Sequence, residues 1–96
     1  MIAWVLYDIE DDRIRTKVAK YCKQAGLYRV QFSVFVGTLE INQKDTLQLQ
    51  IEDLIDEETD SVYIFPMSKN ELQQTVLLGK AFDKKLITDE VRALFL

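Results

Sequence analysis

The chain has 96 residues, 48% of them hydrophobic, and a formal net charge of −4, which suits a single folded domain with an apolar core. It contains no histidine and one cysteine, so Ser-His-Asp and Cys-His catalysis, histidine- or thiolate-based zinc sites and an intrachain disulfide are excluded. A bound metal would need oxygen ligands, which favours Mg²⁺, Mn²⁺ or Ca²⁺. The sequence has no signal-peptide pattern and no apolar run near the roughly 20 residues of a membrane span. We therefore expect a soluble, cytoplasmic protein.

The first predicted strand and helix occupy the N-terminal third. Ile2 to Asp8 is an almost continuous apolar run, which is typical of a strand buried on both faces. Asp11 or Asp12 can cap the helix that follows. Gly26 stands where the helix should end. The helix has one apolar stripe, formed by Ile14, Val18, Tyr21, Cys22 and Ala25.

The middle of the chain predicts two more strands and a second helix. Residues 27–39 are rich in Val, Phe and Tyr and should be extended, with an irregularity near Gln31 that divides them into two strands. Their alternation puts Phe32, Val34 and Val36 on one face and Phe35 on the other. A helix should begin at Asn42. Residues 61–67 form the last core strand, which ends near a proline.

This order predicts an α+β fold, the ferredoxin-like βαββαβ sandwich, with one antiparallel sheet and two helices on one face. Residues 1–67 form its core. Residues 68–96 belong to the same domain and should add a C-terminal edge strand around residues 76–78 and a tail with a short helix at 87–96. The sheet aromatics cannot all point towards the helices, so the other face should meet a partner, most simply a second copy. These aromatics are Trp4, Phe35, Tyr63 and Phe65.

The charges are unevenly distributed. Residues 12–30 contain six basic residues against Asp12, whereas residues 41–66 contain seven acids against Lys44. The local field decides what a surface attracts, so the basic segment is a candidate for phosphate binding despite the negative net charge. A plain solvated helix face is the competing interpretation.

Asp8 ends the predicted central strand and should emerge at the rim of the sheet. A turn or helix-cap role would explain it without chemistry. One carboxylate alone is a poor metal site, because Mg²⁺ usually takes one or two carboxylates with waters and substrate phosphates. A two-fold axis near the strand end would bring two copies of Asp8 together, and they would repel unless a cation lay between them.

Several motifs together resemble the CRISPR-associated protein 2 family over residues 1–67. They are Tyr7-Asp8-Ile9, Asp11-Asp12, Arg13 and Arg15, Gly26-Leu27, the run RVQFSVFVG from Arg29 to Gly37, and SVYIFP from Ser61 to Pro66. The resemblance implies a ferredoxin-like homodimer with facing sheets and a role in CRISPR adaptation, the acquisition of spacers. It implies a bridge between two dimers of the CRISPR integrase that holds duplex spacer DNA.

Several family members also resemble metal-dependent endonucleases that act on single-stranded RNA or double-stranded DNA. The family's carboxylate matches Asp8, which is then the catalytic residue and the ligand of Mg²⁺, with Mn²⁺ as the alternative ion. The nucleic-acid-binding positions fall on Arg13, Arg15, Lys17 and Arg29. The site-adjacent positions are Tyr7, Ser33 and Phe35.

Other functions stay open at this point. The chain could be a non-catalytic scaffold for the integrase and spacer DNA. It could be a toxin-like ribonuclease of the virulence-associated D type, although the Ser33–Gly37 strand and the long tail argue against that. A small regulatory domain that binds a metabolite has the same fold class, but no ligand signature supports it. The acidic segment 41–66 and the tail are candidate contacts for basic patches on the integrase.

Overall fold

The structure of the protein, a computed structural model, describes residues 1–81. The predicted order of strands and helices is confirmed, and a third helix follows the last strand. The elements are β1 (Ile2–Asp8), α1 (Asp12–Gln24), β2 (Tyr28–Gln31), β3 (Val34–Thr38), α2 (Ile41–Glu52), β4 (Ser61–Met67), α3 (Lys69–Gln74) and a 3₁₀ turn (Gly79–Ala81). Within the described residues, no helix is long and apolar enough to cross a membrane.

The four strands form one antiparallel sheet in the order β2-β3-β1-β4. The sheet and its two main helices confirm the predicted α+β class. Strand β1 lies between β3 and β4, so Trp4 pairs with Val36 on one side and with Phe65 on the other. Strand β2 is an edge strand, which brings it next to the flank of α1.

The beginnings of the helices follow from local hydrogen bonds. The Asp11 carboxylate accepts the backbone N–H of Arg13 at 2.7 Å and that of Ile14 at 3.2 Å, so Asp11 caps α1. Helix α2 begins at Ile41, one residue before the predicted Asn42. The Gln43 side chain accepts the backbone N–H of Glu40 at 2.8 Å, which satisfies a donor that the helix leaves unpaired. The helix therefore starts one residue earlier in the chain than predicted.

The main core lies between the sheet and the pair α1 and α2. Alternate residues of β1 face this side, and Phe35 joins them from β3 with 0% exposure. Cys22 is buried here too, and that burial raises the pKa of its thiol to about 12. The cluster contains Ala3, Val5, Tyr7, Val18, Cys22, Phe35, Leu47 and Ile51.

The opposite sheet face is only partly covered. Trp4 is buried there, and its indole N–H donates to the Met67 sulfur at 3.2 Å. Leu72 of α3 belongs to the same buried apolar cluster on this face as Trp4. Tyr63 and Phe65 stay 59% and 42% exposed. The expectation that the sheet aromatics do not all point towards the helices is confirmed: Phe35 lies on the helix side and the other three lie on this second face.

The predicted C-terminal edge strand is wrong for the described part of the single chain. Residues 68–81 form α3, an irregular segment and the 3₁₀ turn, and the sheet has no fifth strand there. A capping box starts α3: the Ser68 hydroxyl accepts the Glu71 backbone N–H at 3.1 Å, and the Glu71 carboxylate accepts the Ser68 backbone N–H at 2.9 Å. A helix therefore begins directly after β4. The helix predicted at 87–96 lies outside the described residues.

Candidate functional site

Asp8 is the last residue of β1 and its side chain is exposed. It pairs with Ser61 of β4, one alternate position beyond the Leu6–Tyr63 pair. Side chains two residues apart in a strand point to the same face. Asp8 therefore lies at the rim of the second sheet face, next in line after Leu6 and Tyr63. The cap of α1 is Asp11, so capping does not account for Asp8.

The segment after Asp8 is held by two charged side chains. The Asp60 carboxylate accepts the backbone N–H of Glu10 at 3.1 Å. Arg15 donates from Nη1 to the carbonyl oxygen of Ile9 at 3.0 Å and also pairs with Asp12. The N–H and the C=O belong to one peptide group, so that group is held at both ends. This fixes the backbone that follows Asp8.

Arg15 and Arg29 line one cavity of about 410 Å³ at the edge of the sheet. They come from α1 and β2 and meet because the edge strand β2 runs beside α1. We call this space the arginine cavity. Its lining is Tyr7, Arg15, Thr16, Arg29, Phe32 and Ser33. The lining contains two guanidinium groups and no acidic residue, which favours an anion such as a phosphate over a cation, and Arg29 is the one of the two without an ion pair to an acid in the described residues.

Arg29 is oriented by aromatic rings. Its guanidinium carbon lies 5.0 Å from the centre of the Phe35 ring, a cation–π contact. The Phe35 and Tyr7 rings stack with centres 6.3 Å apart. The Tyr7 hydroxyl donates to the Phe32 carbonyl oxygen at 3.3 Å. Burial raises the pKa of Tyr7, and the Arg29 guanidinium acts in the opposite direction.

The buried Arg29 Nε has no hydrogen-bond partner within residues 1–81. A buried donor without a partner is uncommon and costs free energy. The stack therefore holds the Arg29 guanidinium in a fixed position, with the Nε–H group itself buried and unpaired among the described residues.

The predicted site residues fall into separate places. Ser33 and Tyr7 line the arginine cavity together with two of the predicted basic residues. Phe35 is buried beneath Arg29, so it supports the site and offers no free ring face. Arg13 and Lys17 are exposed on α1 but do not line the cavity. Asp8 lies towards the other face, because it neighbours Tyr7 in an alternating strand.

Sequence reasoning missed Phe32 as a residue of the cavity, and it included Lys20 and Lys23 only as members of the basic segment 12–30. Phe32 is 75% exposed in the two-residue turn between β2 and β3, and it lines the arginine cavity. The alternation of the sequence predicts that Phe32 lies on a strand face, but Phe32 lies in the turn and therefore outside the sheet. Lys20 and Lys23 line a second cavity of about 350 Å³, which we call the lysine cavity. Its lining is Thr16, Ala19, Lys20, Lys23, Gln24 and Arg29.

The donor set for a metal is limited in one chain. Among residues 1–81, no group of three or more Asp, Glu, His or Cys side chains is placed to hold an ion. Asp8 alone offers an exposed carboxylate at the end of the central strand. Mg²⁺ accepts one or two protein carboxylates and completes its shell with waters and phosphates. A magnesium site at Asp8 would therefore need a second carboxylate, such as a second copy of Asp8.

Comparisons with known proteins agree with this architecture. The family model of the CRISPR associated protein Cas2 matches residues 1–75. The chain is 37% identical over 67 residues to CRISPR-associated endoribonuclease Cas2 1 of Archaeoglobus fulgidus, covering 70% of this chain and 71% of the relative. It is 38% identical over 76 residues to CRISPR-associated endonuclease Cas2 of Halalkalibacterium halodurans, covering 73% and 77%.

A solved structure has the same fold. The crystal structure of Streptococcus pyogenes Cas2 at pH 6.5 superposes with a TM-score of 0.71 and 30% identity. The match covers 82% of this chain and 100% of that one. On the family model, the sequence identities and this superposition together, the chain belongs to the Cas2 family of CRISPR-associated proteins.

Proposed function

We propose that the protein is a metal-dependent endonuclease of CRISPR adaptation that hydrolyses phosphodiester bonds in RNA or DNA as a homodimer. The relatives described above are named endoribonuclease and endonuclease. The observation that carries the proposal is the place of Asp8, exposed at the rim of the sheet face on which Tyr63 and Phe65 are also exposed. Two copies that meet through this face bring their Asp8 residues towards one shared site.

The second sheet face supports self-association. Tyr63 and Phe65 expose neighbouring aromatic surface, and exposed apolar patches of this kind mark interaction sites. A two-fold contact uses the same patch on both chains, so residues at its rim can meet their own copies across the axis. In the pairing of β1 with β4, the pair that contains Asp8 lies two positions beyond the pair that contains Tyr63, which places Asp8 at the rim of this patch.

The residues that would hold the metal and those that would bind phosphate lie on opposite sides of β1. Asp8 from each chain would hold Mg²⁺ or Mn²⁺, and the bound ion would supply an activated water and neutralise charge at the phosphate. Arg15 and Arg29 bind phosphate from the helix side. Because they lie across the strand from Asp8, they hold a phosphate that flanks the cleaved one and position the strand.

A scaffold that does not cut is the second candidate. It is favoured because, among the described residues, no group of three or more acids is placed to hold a metal ion. In this alternative the dimer bridges the CRISPR integrase and holds duplex spacer DNA. Acids of α2 and of the loop before β4, including Asp53 and Asp56, are exposed and fit basic patches on such a partner.

Cleavage by the wild type and by Asp8→Asn decides between the two candidates. Each protein meets single-stranded RNA and duplex DNA with Mg²⁺, Mn²⁺ or a chelator. Glu10→Gln is the matched control, because it neutralises an exposed acid two residues further on. We expect metal-dependent cleavage that is lost in Asp8→Asn and kept in Glu10→Gln.

Two other results have defined meanings. Absence of cleavage by the wild type, with duplex binding intact, establishes the scaffold. Equal cleavage by the wild type and Asp8→Asn removes the assignment of Asp8.

A further inference from the structure

The two cavities beside α1 adjoin each other. Thr16 and Arg29 line both the arginine cavity and the lysine cavity. The cavities therefore follow one another along the groove between α1 and the edge strand β2. We call this groove the edge track. The half-buried Arg29 side chain forms the wall between its two parts.

Cations line the whole edge track. Arg15 stands on one side of Arg29, and Lys20 and Lys23 stand on the other, while no acidic residue lines either cavity. From Arg15 to Lys23 the helix rises about 12 Å at 1.5 Å per residue. A nucleic-acid strand advances about 3.4 Å per phosphate in a duplex. The row of cations thus spans roughly three or four phosphates of a stacked strand.

An exposed ring lies at the arginine end. Phe32 is 75% exposed and lines the arginine cavity at the tip of the β2–β3 turn. Its carbonyl oxygen accepts a hydrogen bond from the Tyr7 hydroxyl, which ties the turn to β1. A basic groove with an exposed aromatic ring is the arrangement that binds single strands, because the ring stacks on an unpaired base. A small anion or an acidic peptide would not stack on the ring as a base does.

We propose that one strand of nucleic acid occupies the edge track, with a base stacked on Phe32 and successive phosphates on Arg29 and then on Lys20 and Lys23. The inference rests on the proposed function. It adds to that function a path on the helix side of the sheet, a base-stacking role for Phe32 and specific phosphate contacts for Lys20 and Lys23. The strand on the track is unpaired at Phe32, since stacking needs a free base face.

Binding of a labelled 12-nucleotide single strand, in RNA and DNA forms, tests the track. Affinity is measured by fluorescence anisotropy at several salt concentrations for the full-length wild type, Lys20→Gln with Lys23→Gln, and Phe32→Leu. The matched control is Lys44→Gln with Lys69→Gln, which removes the same charge from α2 and α3, outside both cavities. Circular dichroism checks that the three variants are folded.

The two track variants should behave differently. Loss of two phosphate contacts lowers the slope of log K against log salt by about 1.4 for a single strand. Phe32→Leu should weaken binding about 5- to 150-fold with the slope unchanged, because stacking carries no charge. The Lys44 and Lys69 control should keep the wild-type slope, because neither side chain lines the track.

The outcomes separate the track from the function beneath it. A wild type that binds no single strand overturns the track, and one that also cleaves neither RNA nor duplex DNA overturns the nuclease function as well. A wild type that binds single strands, with Lys20 and Lys23 no more important than Lys44 and Lys69, overturns the track and leaves the function standing. Unchanged affinity in Phe32→Leu removes the stacking platform and with it the proposed path.

Discussion

The Asp60 carboxylate accepts the backbone N–H of Glu10 at 3.1 Å and so connects the loop before β4 to the segment after Asp8. Its other oxygen accepts the Asp56 backbone N–H at 3.0 Å. Arg15 holds the opposite end of the same peptide group. The position of Asp8 therefore depends on an acid 52 residues away in sequence, and on a basic residue that also lines the arginine cavity.

Asp60→Asn should make stability less sensitive to acid. The backbone N–H groups of Asp56 and Glu10 hold the pKa of Asp60 below its usual range. A carboxyl whose pKa is lowered by folding adds stability above its unfolded pKa, about 4, and that stability is lost as the pH falls through the folded pKa. Urea unfolding should show a lower midpoint for Asp60→Asn than for wild type at pH 7, and the difference should shrink at pH 3. Glu57→Gln should match the wild type, and equal acid dependence in Asp60→Asn would contradict the prediction.

Arg29→Lys should weaken nucleic-acid binding although it keeps the charge. Lysine has no planar fork to lie over Phe35 and to bond a phosphate twice. From the worth of a cation–π contact we expect a loss of about 2- to 30-fold in affinity. Arg13→Lys is the control, because Arg13 is exposed and lies outside the cavity. Equal affinity of the two lysine variants would show that charge alone acts at position 29.

Tyr63→Glu should separate the proposed dimer. The substitution puts a charge in the exposed centre of the second sheet face, where two chains would have to bury it. Light scattering should give the monomer mass of 11.2 kDa for this variant and twice that mass for wild type. Leu49→Glu, an equally exposed position on α2, should leave the mass unchanged. A wild-type monomer at all concentrations would remove the shared Asp8 site.

Gly37→Ala should destabilise the fold. A Cβ at Gly37 would lie 3.1 Å from the Leu27 Cα and 3.2 Å from the Gly26 carbonyl oxygen. Both are backbone atoms, which cannot turn away as a flexible side chain could. We expect a loss of about 1–3 kcal/mol in the free energy of unfolding, in the range of overpacked cores. Urea denaturation measures it, with Ser61→Ala on exposed β4 as control; an unchanged midpoint would mean that the segment after α1 can shift.

Much of the fold follows from patterns that neighbouring residues create. The apolar run at β1, the stripe of α1 and the Asp11 cap are local, and the structure confirms them. The irregularity expected near Gln31 is a register shift between Arg29 and Gln31. The start of α3 could also have been predicted, because Ser68 and Glu71 have the spacing of a capping box. The apolar run at 76–78 drew attention away from it.

The site was harder to predict, because its parts are distant in sequence. Arg15 and Arg29 were both candidates, but their shared cavity depends on β2 being the strand at the edge beside α1. The exposure of Phe32 depends on where the turn falls, and a shift of one residue exchanges the two faces of a strand. Phe35 was the aromatic residue expected beside the site, yet it is buried in the core.

By itself the sequence determined the order of elements, the family motifs and the candidate Asp8, since these depend on residue type and short-range spacing. The tertiary structure decided which candidates act together. It joined Arg29 to Arg15, Lys20 and Lys23 along one groove and left Asp8 across the strand from them. The physical reason is that strand order and alternation, set by burial on both faces of the sheet, place side chains that no local pattern connects.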